Sequence, residues 1–278
     1  MFHEMTVPVI SAASSDYILK NGIFVPSRSL NSLLSPHVEM LFWTWEQYPV
    51  NRIGSCTLIE FKERYFAIAT SHQIENVDVS EVRILGKERN TTHSSKGLYW
   101  IDIEQEEIYS DRLQLRAFDF THLVEEFGLP SHRFFPLRCS TTVAHGDLID
   151  CAAAFGFPFC QQTPKYEDCD EIGARMTELK MATQILKGSF EDKCTDENCF
   201  NLHYRDPIAV NGSSFHPNGM SGGPVFAFVS EGSSISVKLA GITCRGGRGR
   251  LCAVKNKWIF NLLSQHFPTT HDAAPYIS

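Results

Sequence analysis

The chain has 278 residues, 43% of them hydrophobic and 21% charged, so it can bury a real core and is neither a coiled coil nor a disordered chain. Its 25 Lys and Arg against 32 Asp and Glu leave a net charge of −7, which argues against a nucleic-acid binder that works through a broad basic surface. No apolar run is long enough to span a bilayer as a helix.

The opening residues Met1-Phe2-His3-Glu4-Met5 lack the basic and apolar regions of a secretion signal, so the expected setting is the cytoplasm. The nine cysteines are then expected as reduced thiols, and an odd number could not all pair in any case. Residues 1–36 are Ser-rich without a sustained period and read as an N-terminal extension. Short strand-like runs follow: His37–Trp45, Cys56–Phe61, Tyr65–Thr70, Val82–Leu85, Leu98–Ile103, Leu113–Phe120 and Leu148–Phe155. The triplet Lys62-Glu63-Arg64 reads as a hairpin turn. Residues 171–187 lack β-branched density, which predicts a short helix inside a long insertion. Two further strands, Pro224–Val229 and Ile235–Cys244, flank a turn at Glu231–Ser234. Trp258, Ile259, Leu262, Leu263 and Phe267 recur at helical spacing, so residues 256–267 are expected to form an amphipathic helix. Many short strands between turn signals point to β-barrels or a sandwich.

The most informative string is Asn218-Gly219-Met220-Ser221-Gly222-Gly223-Pro224-Val225-Phe226. A serine among three glycines opens a strand. A nucleophilic hydroxyl must be exposed, with backbone N–H groups aimed at the oxygen that turns negative during acyl transfer. Gly219 can adopt the backbone conformation that turns its N–H inward, so the N–H groups of Gly219 and Ser221 would form an oxyanion hole. A bare Gly-Ser pair would be an ordinary turn. The full string is far more specific.

This string resembles the active-serine segment of trypsin-like (chymotrypsin-fold) serine peptidases, of the bacterial intracellular type. The resemblance implies a triad in chain order His, Asp, Ser. Ala67-Ile68-Ala69-Thr70-Ser71-His72 follows an apolar hairpin strand, as the family's histidine does, which implies His72 as general base. Ala117-Phe118-Asp119-Phe120 fits the family's aspartate, which implies that Asp119 orients His72. Asp102 in Trp100-Ile101-Asp102-Ile103 is the alternative. Ala154-Phe155-Gly156-Phe157-Pro158 resembles a turn early in the family's second barrel. Leu239–Gly246 resembles the strand that pairs with extended substrate, which implies binding by Cys244, Arg245 and Gly246 through β-augmentation. By the same resemblance Phe215, six residues before the serine, would floor an apolar specificity pocket, and Arg245 would favour an acidic side chain nearby.

There are departures from the family. Met220 replaces the aspartate that extracellular members place before the serine. Cys56 stands where they begin a disulfide, but Gln73 follows His72 where the partner would be. The string Cys194-x4-Cys199-x3-His203 is inexact for zinc, so loop thiols are expected, with no metal and no cofactor. The run Arg245–Arg250 lacks interleaved aromatics and is read as a solvated loop beside the site.

Together these readings imply an all-β fold of two packed six-stranded antiparallel barrels with a C-terminal helix. The expected divisions are 1–36 (extension), 37–135 (barrel with His72 and Asp119), 136–255 (barrel with Ser221, the oxyanion hole and the pocket) and 256–278 (helix and tail). The implied activity is peptide-bond cleavage through an acyl-enzyme. The rate should then fall on acidification through about 6.5 as the base protonates. The expected partners are a protein or peptide substrate and a regulatory protein, not nucleic acid or membrane. The alternative from another class is a silent or latent module of the same look that binds peptides or a partner protein.

Overall fold

The computed structural model describes residues 17–20, 23–26, 29–45, 48–86, 91–101, 115–169, 173–192, 194, 196–205, 215–232, 234–247 and 249–268. The N-terminal half holds β1 (Tyr17–Lys20), β2 (Ile23–Pro26), α1 (Leu30–Leu34), β3 (Val38–Trp45), β4 (Tyr48–Phe61) and β5 (Arg64–Thr70). It continues with β6 (Val82–Leu85), β7 (Thr92–Ser94), β8 (Gly97–Trp100), β9 (Leu115–Asp119), α2 (Thr121–Glu125) and β10 (Phe135–Pro136). The C-terminal half holds β11 (Ile149–Gly156), β12 (Thr163–Cys169), β13 (Gly173–Lys180), β14 (Gln184–Glu191) and β15 (Cys199–Tyr204). It ends with β16 (Pro224–Glu231), β17 (Ser234–Gly247), β18 (Arg250–Lys255) and α3 (Asn256–His266). Among the described residues no helix is long and apolar enough to cross a membrane.

The C-terminal strands close on themselves. They run β16-β11-β14-β15-β18-β17, and β17 returns to pair with β16, giving a six-stranded antiparallel barrel. The N-terminal strands run β7-β6-β3-β4-β5-β9-β8, with β10 adding to β4, and form a curled half-barrel. The expected second closed barrel is not shown among the described residues: β7 and β8 end the sheet as short edges.

The hairpin of β4 and β5 turns at Lys62 and Glu63, both with positive φ (52° and 60°), between the paired Phe61 and Arg64. Two successive left-handed residues match the twist of the flanking strands. No helix forms among the described residues of 171–187, which instead supply β13 and the start of β14. β13 pairs with β12 as a separate ribbon, and β14 fits between β11 and β15. A Cβ on Gly188 would lie 1.8 Å from His203 O, so β14 sits against β15 at a point that admits no side chain. Tertiary pairing decides these residues over their weak local preference. The loop expected at Arg245–Arg250 is likewise the end of one hairpin, where β17 runs to Gly247 and β18 starts at Arg250.

The two halves share one core. The rings of Phe135 and Phe155 pack on Phe226 at centroid distances of 5.1 and 5.7 Å. At the same seam His37 meets Phe135 edge-on at 5.3 Å, and its Nδ1 lies 2.8 Å from the Arg133 carbonyl oxygen. The Arg133 guanidinium pairs with the buried carboxylate of Glu39. The C-terminal helix forms as its spacing predicts. It buries Ile259, Leu262 and Leu263, and Phe267 just after it packs on Tyr99 of β8 (4.8 Å) and Phe66 of β5 (5.2 Å). The last helix thus returns to cover the first sheet.

Candidate active site

The glycines around Ser221 are required by close packing. Gly219 has φ +97°, and a Cβ there would lie 2.5 Å from Phe157 O. Gly222 has φ +82°, and a Cβ there would lie 2.1 Å from Ser55 O. Neither the conformation nor the space admits another residue. The loop they form is fastened to the other half of the molecule through β4. Ser55 N–H and Oγ–H both donate to Gly219 O, at 3.0 and 2.6 Å. Thr57 Oγ–H donates to Gly222 O at 2.7 Å, and Phe157 N–H donates to Ser55 Oγ at 2.8 Å.

The hydrogen bonds within the loop alternate. Met220 N–H donates to Pro217 O, Gly222 N–H to Thr243 O and Gly223 N–H to Met220 O. Among the described residues the N–H groups of Gly219 and Ser221 find no acceptor. The Asn218 carbonyl accepts Phe159 N–H at 2.7 Å, so in a trans peptide the Gly219 N–H points the opposite way. Two unspent donors two residues apart, beside a half-buried hydroxyl that lines the cleft, suit an anionic oxygen.

His72 lies in the helical turn Ser71–Gln73 that ends β5. It lines the same cleft as Ser221, with Gln73, Gly219 and Gly246, while Ile53 and Phe159 supply apolar wall. The structure therefore brings His72, Gly219 and Ser221 together. Ser221 Oγ–H donates to the Cys244 carbonyl at 3.3 Å.

Asp119 is not brought to His72, and the sequence expectation is corrected here. On the ladder of β5 and β9, Asp119 pairs with Phe66, and Leu115 pairs with Thr70. Four residues, about 13 Å of strand, separate Asp119 from the end that leads to His72. Both carboxylate oxygens are engaged elsewhere: Oδ2 takes the Arg64 guanidinium and Oδ1 accepts Thr121 N–H at 2.9 Å, at the start of α2. The expected strand forms over Leu115–Asp119, but it carries the aspartate to the end away from His72. The alternative, Asp102, lies outside the described residues.

The expected substrate-binding residues divide. Gly246 lines the cleft and Arg245 is exposed beside it. Pairing of β17 with β16 ends at Ile242 and Pro224, so the Cys244–Gly247 edge has no strand on that side among the described residues. The Cys244 thiol is buried, while its carbonyl meets Ser221. Phe215 does not line this cleft. It is buried in the barrel's own core, edge-on to Tyr204 at 6.3 Å, which argues against a pocket floor there. His203 stands apart from the cysteines, on Glu191 at 2.7 Å.

Sequence reasoning missed Gln73. Its Nε2 donates to Ser55 O (3.0 Å) and Ser221 O (2.8 Å), and its Oε1 accepts from Thr70 N–H and Oγ–H (2.9 and 2.8 Å). The amide holds the His72 turn and the Ser221 loop together. Its position directly after His72 was the available signal.

No family model and no curated protein matches this chain.

Proposed function

We propose that the chain is a serine endopeptidase of the trypsin-like type, whose N-terminal half-barrel stands for the first of two barrels. One observation carries the reading: His72 and Ser221 line one cleft beside two N–H groups with no acceptor among the described residues. In this mechanism Ser221 Oγ attacks a peptide carbonyl and His72 takes its proton. The N–H groups of Gly219 and Ser221 hold the negative oxygen, and His72 returns the proton to the leaving amine. Water then releases the acyl group from Ser221. Substrate lies extended along the Cys244–Gly247 edge. The group that orients His72 is not Asp119.

The reading is tested with a fluorophosphonate probe and peptide turnover. Labelling at Ser221, lost together with turnover in a folded Ser221→Ala variant, is the expected result. A second reading has its own support. The Ser221 hydroxyl donates to the Cys244 carbonyl, an arrangement suited to a latent enzyme or a peptide-binding module. Absence of labelling in the folded wild-type chain would favour it.

A further inference from the structure

We propose that Cys194, Cys199, Cys244 and Cys252 form a tetrathiolate site for one zinc ion, set in the barrel wall behind the cleft. The four residues come from four segments: the connection before β15, the first residue of β15, β17 and β18. The register brings them together. β18 lies between β15 and β17, with Cys199 opposite Val254, Asn201 opposite Cys252 and Cys252 opposite Arg245. The ladder of β17 and β18 slips between Thr243 and Arg245, which makes Cys244 the extra residue of a bulge. A bulge re-aims its side chain, and here the Cys244 Sγ lies 3.3 Å from Cys252 O while its carbonyl faces Ser221.

The sulfurs of Cys199, Cys244 and Cys252 all lie within 4.8 Å of one another. A tetrahedral zinc with Zn–S near 2.3 Å holds its sulfurs about 3.8 Å apart, so a small contraction closes the set. A fourth ligand is at hand in Cys194, whose Sγ lies 4.0 Å from Oδ1 of Asn201, the residue paired with Cys252 on the ladder. The turn Asp196–Cys199 that leads into β15 is itself fixed, with Asn198 N–H on Asp196 Oδ1 and Cys199 N–H on Asp196 O, both 3.0 Å.

A buried cysteine is ordinarily a small apolar filler, as Cys56 is in its own core cluster. Convergence of three thiols from three strands, with Cys194 alongside, is a different pattern. It also exceeds what a disulfide needs. The positive charge of Arg245 acts on the same sulfurs and partly offsets the net negative charge of a zinc tetrathiolate. A single tetrahedral thiolate set suits zinc. His203 is not a ligand: four residues of extended strand place it about 13 Å beyond Cys199.

The test uses the full chain, purified without chelator from zinc-supplemented cells and analysed by native mass spectrometry. One zinc per chain is expected, lost on acid unfolding, absent from Cys199→Ser and Cys252→Ser, and retained in the exposed control Cys160→Ser. Should the serine variants not fold, the wild type decides alone. Stripped under reducing conditions and refolded with cobalt, it should show intense visible bands and a thiolate-to-cobalt charge-transfer band in the near ultraviolet. A folded, reduced wild-type chain that takes up neither zinc nor cobalt would overturn the proposal. So would a disulfide among the four cysteines, or iron with inorganic sulfide in place of zinc.

Discussion

The side-chain amide of Gln73 donates a hydrogen bond of 2.8 Å to the backbone carbonyl of Ser221, joining residues 148 positions apart. The same nitrogen reaches Ser55 O, so one side chain fixes the histidine turn, β4 and the serine loop relative to each other. Gln73→Ala should cost about 2–3 kcal/mol, since each lost bond contributes about 1 kcal/mol. Turnover should fall about 100-fold through misplacement of His72 and Ser221, while Gln73→Glu, which keeps the length but not the donor, should rescue little. Urea unfolding and peptide turnover on both variants check this. An alanine variant with wild-type turnover would show that the clamp does not position the site.

Gly219→Ala must either tilt the peptide that carries the hole's first N–H or push back Phe157 O, 2.5 Å from the new Cβ. Loss of one such donor costs about 100- to 1,000-fold in kcat. The expected signature is that drop with KM little changed. A fall in stability with unchanged kcat would place the oxyanion elsewhere.

Asp119→Asn should leave peptide turnover within about threefold of wild type and lower stability by about 1–2 kcal/mol, because its carboxylate serves Arg64 and Thr121 and not His72. A 10,000-fold loss of kcat, as expected of a triad aspartate, would restore the sequence reading. Comparing it with Asp102→Asn separates the two candidates directly.

His122 gives the fold a pH dependence of its own. Its ring is buried beside Phe120 and Phe127, and its Nδ1 has no hydrogen-bond partner among the described residues. Desolvation lowers its pKa, Lys96 and His93 lower it further, and Glu126 and Asp119 oppose them. The unfolded chain then binds a proton more readily than the folded one. Stability from this residue is complete above about pH 6.5 and is lost as the pH falls below it. Urea midpoints at pH 7.5 and 5.5 should differ less in His122→Phe than in wild type.

The readable parts of the sequence were those that depend on near neighbours. The apolar runs on either side of Lys62-Glu63 announced a hairpin, and Trp258 to Phe267 announced a helix. The glycines about Ser221 announced a tight loop, because such conformations exclude other residues. What was not legible depends on register between distant strands. Asp119 carries a fitting local pattern, yet only its pairing with Phe66 tells which end of β9 it occupies. Cys194 and Cys199 suggested His203 as their neighbour in sequence, whereas the barrel supplies Cys244 and Cys252 instead. Residues 173–191 carry weak strand preference and owe their form to the neighbours that receive them.

The Cys244–Gly247 edge of β17 has a cost that its composition offsets. Unpaired backbone along a strand is a template for sheet growth between molecules, which would bury the cleft in aggregates. Here the open stretch is only a few residues long and bears a cation at Arg245 and bare backbone at Gly246 and Gly247. It therefore has no flat apolar face to attract a second copy. The rim thus stays open without offering a long template for strand addition.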